Sequence, residues 1–483
     1  MKDLTQKDLL QISELGIDNT LIQQQIENFK SGFPFLRLSR PATPGDGIHI
    51  FSSDMQELYK NHFEKNAGKY RVEKFVPASG AATRMFKHLY EFRERFANHA
   101  EYFQDFLEDQ TLYSAYRFFG QLSSFAFLED LKSVMARDGI TLAQLLIKHD
   151  FRTILDYILL NNGLGYGDLP KALIKFHQYG HISRVAAEEH LVEAASFATD
   201  YQGIARVHFT LSPEHIEKFN NVISKVLPDY EEKYQVKYQI SLSIQDKATD
   251  TIAVDEQNVP FRKEDGKLLF RPSGHGALLS NLNKIDSDII FIKNIDNIIQ
   301  EGQAQTSVAN KKLLGGYLIY IMETVHGFLR KAEACEVTES NIEQILLFLE
   351  DTFFFKVSKD PTNLKKRSLG QQTKILSYLL NRPIRVCGMV KNEGEPGGGP
   401  FWVKDNIGDD WLEIVESSQI DFSNEYQRDI LGRSTHFNPV DIVCCIKDYK
   451  GKPFNLQNFV NRETGFISTK SSGGKTLKAQ ELP

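Results

Sequence analysis

The residues best placed to do chemistry are cations beside a run of small side chains. Phe75-Val-Pro-Ala-Ser-Gly-Ala-Ala-Thr-Arg-Met-Phe-Lys87 is an apolar strand that runs into such a loop, and Leu169-Pro-Lys-Ala-Leu-Ile174 follows later. A loop of small residues lets backbone N–H groups approach a triphosphate. Arg84, Lys87 and Lys171 could neutralise its charge. Chemistry at phosphorus needs cations around the phosphates, hard oxygen ligands for a divalent metal and firm positioning of both reactants.

Four further segments fit those needs, each with a plainer reading beside it. Asp288-Ile-Ile-Phe-Ile-Lys-Asn-Ile-Asp-Asn297 is an apolar strand that ends in a carboxylate, Asp296. Ligands of open α/β sheets bind at that strand end, and oxygen ligands suit Mg²⁺; the plainer reading is a turn-capping Asp. Gly274-His275-Gly276 precedes a helix and could offer N–H donors to an anion, with His275 donating to a phosphate or contacting a base. A glycine pair is also an ordinary turn. Gln245, just after a strand, could read a nucleobase edge or simply be solvated. Near the C-terminus, Glu416 could accept sugar hydroxyls, and Asn438 or Asp441 could supply a second oxygen to the metal. Lys470 could clamp a sugar phosphate as a point charge. The assignment taken puts Asn438 with Glu416 on the sugar side and Asp441 with Asp296 on the metal. Their plainer readings are a sheet-edge carboxylate, a turn-forming Asn-Pro and a solvated lysine. Two other patterns fail. Ser472-Gly-Gly-Lys-Thr476 lacks the first P-loop glycine, since position 469 is Thr, and the histidines form no HExxH or HxH pair.

The elements that must position these residues are legible in outline. Residues 3–31 read as two short helices, and Pro34, Pro41 and Pro44 then enforce an extended path to Gly47. Tyr70 to Val76 is a strand. From Ala81 to Asn162 there is no proline, and Gly120 and Gly139 are the only glycines, so a helical insertion is expected. After Pro170, strands Arg206–Leu211, Tyr234–Ser243 and Asp288–Lys293 alternate with helices such as Pro213–Val226. Residues 301–357 return to helix, with a capping-box spacing at Ser340–Glu343. Strands follow at Ile384–Val390, Trp411–Val415 and Val440–Ile446, and Pro396-Gly-Gly-Gly-Pro400 is expected to form a loop beside the site. The pattern predicts an α/β fold, a Rossmann-like mostly parallel sheet flanked by helices, with a large helical insertion. Four consecutive segments are expected: a helical 1–50, an α/β core at 51–300 with the insertion over about 88–163, a helical 301–378 and an α/β part at 379–483.

Bulk properties exclude some classes. A net charge of −6 over 483 residues argues against a broad nucleic-acid surface. No signal-peptide h-region and no run of about 18 apolar residues is present, so no membrane association is expected. The four cysteines show no metal spacing, and Cys387, Cys444 and Cys445, in apolar strand-like runs, fit buried thiols in a reducing cytoplasm. A monomer or small homo-oligomer is expected.

In their order along the chain these elements resemble the UDP-sugar pyrophosphorylases, within the sugar-phosphate nucleotidyltransferases. The matching series is Gly80 with Thr83-Arg84, Pro170-Lys171, Gln245, Pro272-Ser-Gly274-His-Gly276, Ile295-Asp296-Asn297, Ile414-Val-Glu416-Ser-Ser and Ser468-Thr-Lys470. The resemblance implies a nucleotidyltransferase (GT-A-like) fold, Mg²⁺ dependence, NTP and sugar-phosphate substrates and an NDP-sugar product. It implies that Gly80, Ala81, Thr83 and Arg84 cradle the triphosphate with Lys171 beside it, and that Gln245, Gly274 and His275 face the base. Asp296 would bind metal, Glu416 would touch the sugar and Lys470 would hold its phosphate. Ser79 and Ala82 stand where those enzymes carry glycines, and the insertion separates Arg84 from Lys171, as a lid or as a block. Two alternatives stay open: a nucleotide- or sugar-phosphate-binding protein without turnover, and a glycosyltransferase, whose Asp-x-Asp is half met by Asn294-Ile-Asp296. The chain also resembles, over nearly its whole length, an uncharacterised bacterial family of domain-of-unknown-function proteins. More polypeptide is expected after Lys470 than the stretch to Pro483.

Overall fold

The computed structural model describes residues 4–80, 85–98, 102–111, 113–355, 364–394, 397–405, 408–472 and 475–483. Ala81, Ala82, Thr83, Arg84, Pro396, Gly473 and Gly474 therefore lie outside the described residues. The protein is mixed α/β. It divides into two compact units, Lys74–Ile244 with Lys293–Val308, and Met1–Glu73 with Gln245–Ile292 and Ala309–Pro483. Pairing and packing within each unit join stretches far apart in sequence.

In the unit that begins at Lys74, the strand Val72–Pro77 pairs in parallel with Ile204–Thr210, which pairs in parallel with Lys237–Ser243. Ala205, Val207 and Phe209 are fully buried, the near-continuous apolar burial that parallel strands require. The helix Ile216–Tyr234 makes the second crossover. It runs straight through Pro228, where the sequence pattern predicted an end at Val226. Phe219, Ile223 and Tyr230 carry one buried stripe across the proline, and that packing outweighs the lost N–H.

The first crossover contains the expected helical insertion, with helices that include Lys87–Asn98, Leu128–Arg137 and Phe151–Leu159. Its core is rich in rings. Phe151 lies 4.4 Å from Phe119 and 4.8 Å from Phe106 between centroids, beside fully buried Leu131, Met135 and Ile154. A hairpin, Lys175–Tyr179 with Ile182–Val185, then leads into the helix Ala186–Phe197.

In the other unit, helices Gln6–Glu14 and Asn19–Ser31 bury Ile12, Ile22 and Phe29 against Ile252, Val254 and Leu268. Apart from the short parallel pair Thr43–Pro44 with Gly47–Ile48, the strand pairs described here are antiparallel, which makes the protein mixed rather than mostly parallel. Leu38–Pro41 pairs with Gly399–Lys404, which pairs with Asp410–Val415; Ile384–Cys387 pairs with Asp441–Cys445; Phe466–Ser472 pairs with Lys475–Glu481. Gly315 and Gly316 let the helix Gln305–Glu333 press against Phe63 and the Tyr59 backbone of the helix Ser53–Asn66. No helix among the described residues is long and apolar enough to cross a membrane.

Candidate functional site

The turn that presents Lys171 is built by close backbone approach. After the helix Phe151–Leu159 the chain folds back, with Leu164 N donating to Tyr157 O (2.7 Å) and Tyr166 N to Ile158 O (3.0 Å). Gly163 allows this, since a Cβ there would collide with the Tyr157 backbone. Pro170 then sets a short turn, Lys171–Leu173, in which Ala172 and Leu173 are buried. Lys171 reaches outward instead and forms an ion pair with Asp296, 125 residues away. Its side chain is 25% exposed and that of Asp296 37%, so both groups remain reachable from solvent.

Asp296 follows the strand Ile289–Lys293 and is held from behind. The Ile295 carbonyl accepts a hydrogen bond from His190 Nε2 (3.1 Å). That bond fixes the tautomer, and Nδ1 has no hydrogen-bond partner. His190 is fully buried, and burial, with Lys74 second, drives its pKa well below the ordinary histidine value. The backbone of His190 accepts from Lys74 Nζ (3.1 Å), and Glu193, one turn further along the same helix, bridges two lysines. Lys74 Nζ lies 2.5 Å from Glu193 Oε2, and Lys293 Nζ 2.5 Å from Glu193 Oε1. Lys74 and Lys293 are buried. Charges so deep persist only when paired. Sequence reasoning passed over this hub. Its signal was a lysine inside each of two apolar strands, Val-Glu-Lys-Phe-Val and Ile-Ile-Phe-Ile-Lys.

Gly80 is exposed, with open space where a side chain would stand. The loop before it is anchored: Ala78 N donates to Thr210 O and Thr210 Oγ1 (both 3.1 Å), and Ser212 Oγ donates to Ser79 O (3.2 Å). Lys87 is exposed at the start of its helix, 3.6 Å from Glu91. Ala81, Thr83 and Arg84 lie outside the described residues.

Within the other unit, Gln245 is half-buried and its Nε2 is buried without a hydrogen-bond partner. An unmet amide donor costs about 1–3 kcal/mol, so a ligand acceptor there would find a ready partner. The Gly274-His275-Gly276 loop is a different matter. The sequence reading opens it to a ligand, whereas the structure fills it with the chain itself. A Cβ on Gly274 would collide with the Glu481 carboxylate, and one on Gly276 with the Leu482 and Pro483 carbonyls. Leu482 N donates to Ser273 O (3.0 Å). Gly276 thus accommodates the chain's own backbone and Gly274 the Glu481 side chain, while His275 is exposed. Lys470 joins the same cluster: its Nζ lies 2.7 Å from Glu481 Oε1, which also accepts from Ser468 Oγ (2.8 Å).

Gly398 of the glycine tract lies beside Glu416 and Asn438, while Gly399 and Pro400 open the strand Gly399–Lys404. Glu416 is exposed, with Oε1 against Gly398, and Asn438 N donates to Gly398 O (2.9 Å). Two of the expected residues are engaged within the protein. Asn438 is buried and its amide is committed to backbone, Nδ2 donating to Gly388 O (2.7 Å) and Oδ1 accepting from Val440 N (3.0 Å). Asp441 forms an ion pair with the buried ammonium of Lys311 rather than standing free for a metal. Among the described residues no three His, Cys, Asp or Glu side chains converge as a metal cage.

The family model described as "Domain of unknown function (DUF4301)" matches residues 5–483. No curated protein matches the sequence. Similar solved structures include a UDP-N-acetylglucosamine pyrophosphorylase from Trypanosoma brucei in complex with inhibitor, at 11% identity and TM-score 0.43 over 95% of this chain and 64% of that one. A UDP-glucose pyrophosphorylase variant from Leishmania major in complex with UDP-glucose matches at 8% identity and TM-score 0.42, over 99% of this chain and 71% of that one. A UDP-glucose phosphorylase from Trypanosoma brucei matches at 10% identity and TM-score 0.42, over 98% and 70%. The chain spans about two-thirds of the length of these proteins. Similarity this low carries no activity from them to this chain.

Proposed function

The chain belongs to the DUF4301 family, a membership that assigns no reaction, and from that premise we propose that it is a nucleotidyltransferase, joining an NTP to a sugar-1-phosphate and releasing pyrophosphate. The observation that carries this reading is the Lys171–Asp296 ion pair. A turn and a strand end 125 residues apart bring a cation and a carboxylate together, both still reachable from solvent. In the proposed reaction an oxygen of the sugar phosphate attacks the α-phosphorus and the bond to pyrophosphate breaks. The attacking oxygen is already anionic, so no general base is required. Catalysis then rests on holding two anions in line and balancing charge on the leaving group. Lys171 does the second, passing from Asp296 to the phosphates when substrate arrives.

Magnesium fits Asp296 in one respect. Mg²⁺ keeps several waters and needs only one or two protein carboxylates when substrate phosphates supply the rest. Asp296 would hold it, and the ion would screen the phosphate charge. The four free cysteines suit the reducing cytoplasm in which we place the reaction.

A second reading, a nucleotide-binding protein without turnover, is favoured by the chain's own backbone lying in the Gly274–Gly276 loop. The deciding experiment is pyrophosphate release from pooled NTPs and a panel of sugar-1-phosphates with Mg²⁺, for wild type, Asp296→Ala and Lys171→Met. Release should need both substrates and fall about 100-fold or more in each variant. Wild-type rates in both variants would overturn the site. No release, with NTP raising Tm, would select the binding protein.

A further inference from the structure

The unit that contains the N-terminal helices holds a cavity of about 700 Å³, in the range of small-molecule sites. Its wall is apolar and rich in rings, including Phe51, Tyr317, Ile321, Phe353, Phe354 and Leu380. The charged groups in that wall are nearly all matched. Asp410 is bound to Arg40 (3.1 Å) and Lys404 (3.1 Å), Glu413 to Arg385 (3.2 Å), and Asp441 to Lys311. His49 Nε2 is hydrogen-bonded to Thr352 O (2.9 Å).

Arg382 is the exception. It lines the cavity just past the helix Leu369–Leu380, its Nε is buried, and its guanidinium has no hydrogen-bond or ion-pair partner among the described residues. A guanidinium cannot shed its proton to escape burial, and burial here works against its charge, with Tyr378 the one group acting the other way. A lone cation at an apolar wall is the complement of an anionic head on an apolar body.

We propose that this cavity binds an amphipathic anion, a single carboxylate or phosphate head on an extended hydrocarbon tail, with Arg382 on the head and the ring-lined wall on the tail. The site does not depend on the nucleotidyl-transfer reading and uses neither Lys171 nor Asp296. A neutral alcohol of the same length would bury the same tail but leave Arg382 unmatched, so the charge of the head is what the site selects.

The chain supplies its own reporter, because both of its tryptophans, Trp402 and Trp411, line this cavity. Tryptophan emission of the full chain is titrated with dodecanoate, dodecyl phosphate and dodecanol below their aggregation limits. At least one anion should give a saturable change at a concentration tenfold or more below that for dodecanol. The tighter of the two anions identifies the head group. Arg382→Met should abolish the preference for anion over alcohol, while Arg382→Lys should keep most of it. The wild-type comparison stands alone should Arg382→Met fail to fold. No saturable change with either anion, equal affinity for dodecanol, or a preference that survives Arg382→Met in a folded variant would each overturn the proposal.

Discussion

Replacing Glu193 by glutamine keeps the size and hydrogen-bonding reach of the side chain but removes the charge that both buried lysines share. Lys74 is fully buried and Lys293 nearly so, each 2.5 Å from a different oxygen of this carboxylate. Removing one partner from a buried ion pair costs about 3–5 kcal/mol, since the remaining charge stays in a poor solvent. Two ammoniums are affected here, so the upper end of that range is expected. The unit that carries the hub comprises the 171 residues of Lys74–Ile244 and the 16 of Lys293–Val308. For units of that size each kcal/mol moves Tm by about 2–4 °C, which places the expected fall at roughly 10–20 °C. Differential scanning calorimetry reads it directly. The companion variant replaces all three side chains, Lys74→Met, Glu193→Leu and Lys293→Met, and removes the desolvation cost along with the pairing. It should recover most of the loss, as apolar replacements of whole buried ion pairs do. A single variant that melts within 2 °C of wild type, or a triple variant less stable than the single one, would refute the reasoning.

Asp250 gives a pH test with a definite sign. Burial pushes its carboxyl up to about 6, above the ordinary value near 4 of an unfolded chain. Its contribution is therefore fully present below pH 4 and is lost as pH rises through 6. Asp250→Asn should remove that slope and, after screening by solvent, be roughly 1–2 kcal/mol more stable than wild type at pH 7.5; urea midpoints at pH 4 and 7.5 that shift in parallel for both proteins would contradict this. Gly276→Ala drives a methyl group into the Leu482 and Pro483 carbonyls. It should cost about 1–3 kcal/mol by thermal melt, and truncation after Glu481 should relieve it, whereas an unchanged Tm would mean that the loop does not carry the terminal residues.

Local chemistry explains what the sequence disclosed. The absence of proline and the recurrence of apolar residues mark the helical insertion, and Pro170 fixes the turn that presents Lys171. The pairing of Lys171 with Asp296 follows from two legible elements, a turn and a strand end. What stayed hidden depends on contacts that no local pattern contains. Gly274 and Gly276 look alike whether a ligand or the chain's own backbone approaches them, and the occupants lie at Glu481–Pro483. Asn438 and Asp441 carry the right atoms for a ligand, but Gly388, Val440 and Lys311 claim those atoms first. The helix through Pro228 shows the reverse error, in which a strong local breaker yields to a buried tyrosine two residues on.

The N-terminal helices have a consequence for synthesis. Asn19–Ser31 is finished at the backbone by partners that the ribosome makes much later: Ile252 N donates to Gln25 Oε1 (2.9 Å), and Gln480 Nε2 donates to the Gln25 carbonyl, 455 residues downstream. At about 5–20 residues per second, roughly 20–90 s separate the emergence of Gln25 from that of Gln480. Ile12, Ile22 and Phe29 must wait through the first half of that interval before Ile252, Val254 and Leu268 exist to cover them. A nascent chain that displays an apolar helical face for so long is a natural client for a holding chaperone. Its yield on expression should respond to translation speed and growth temperature more than to any single contact in the finished protein.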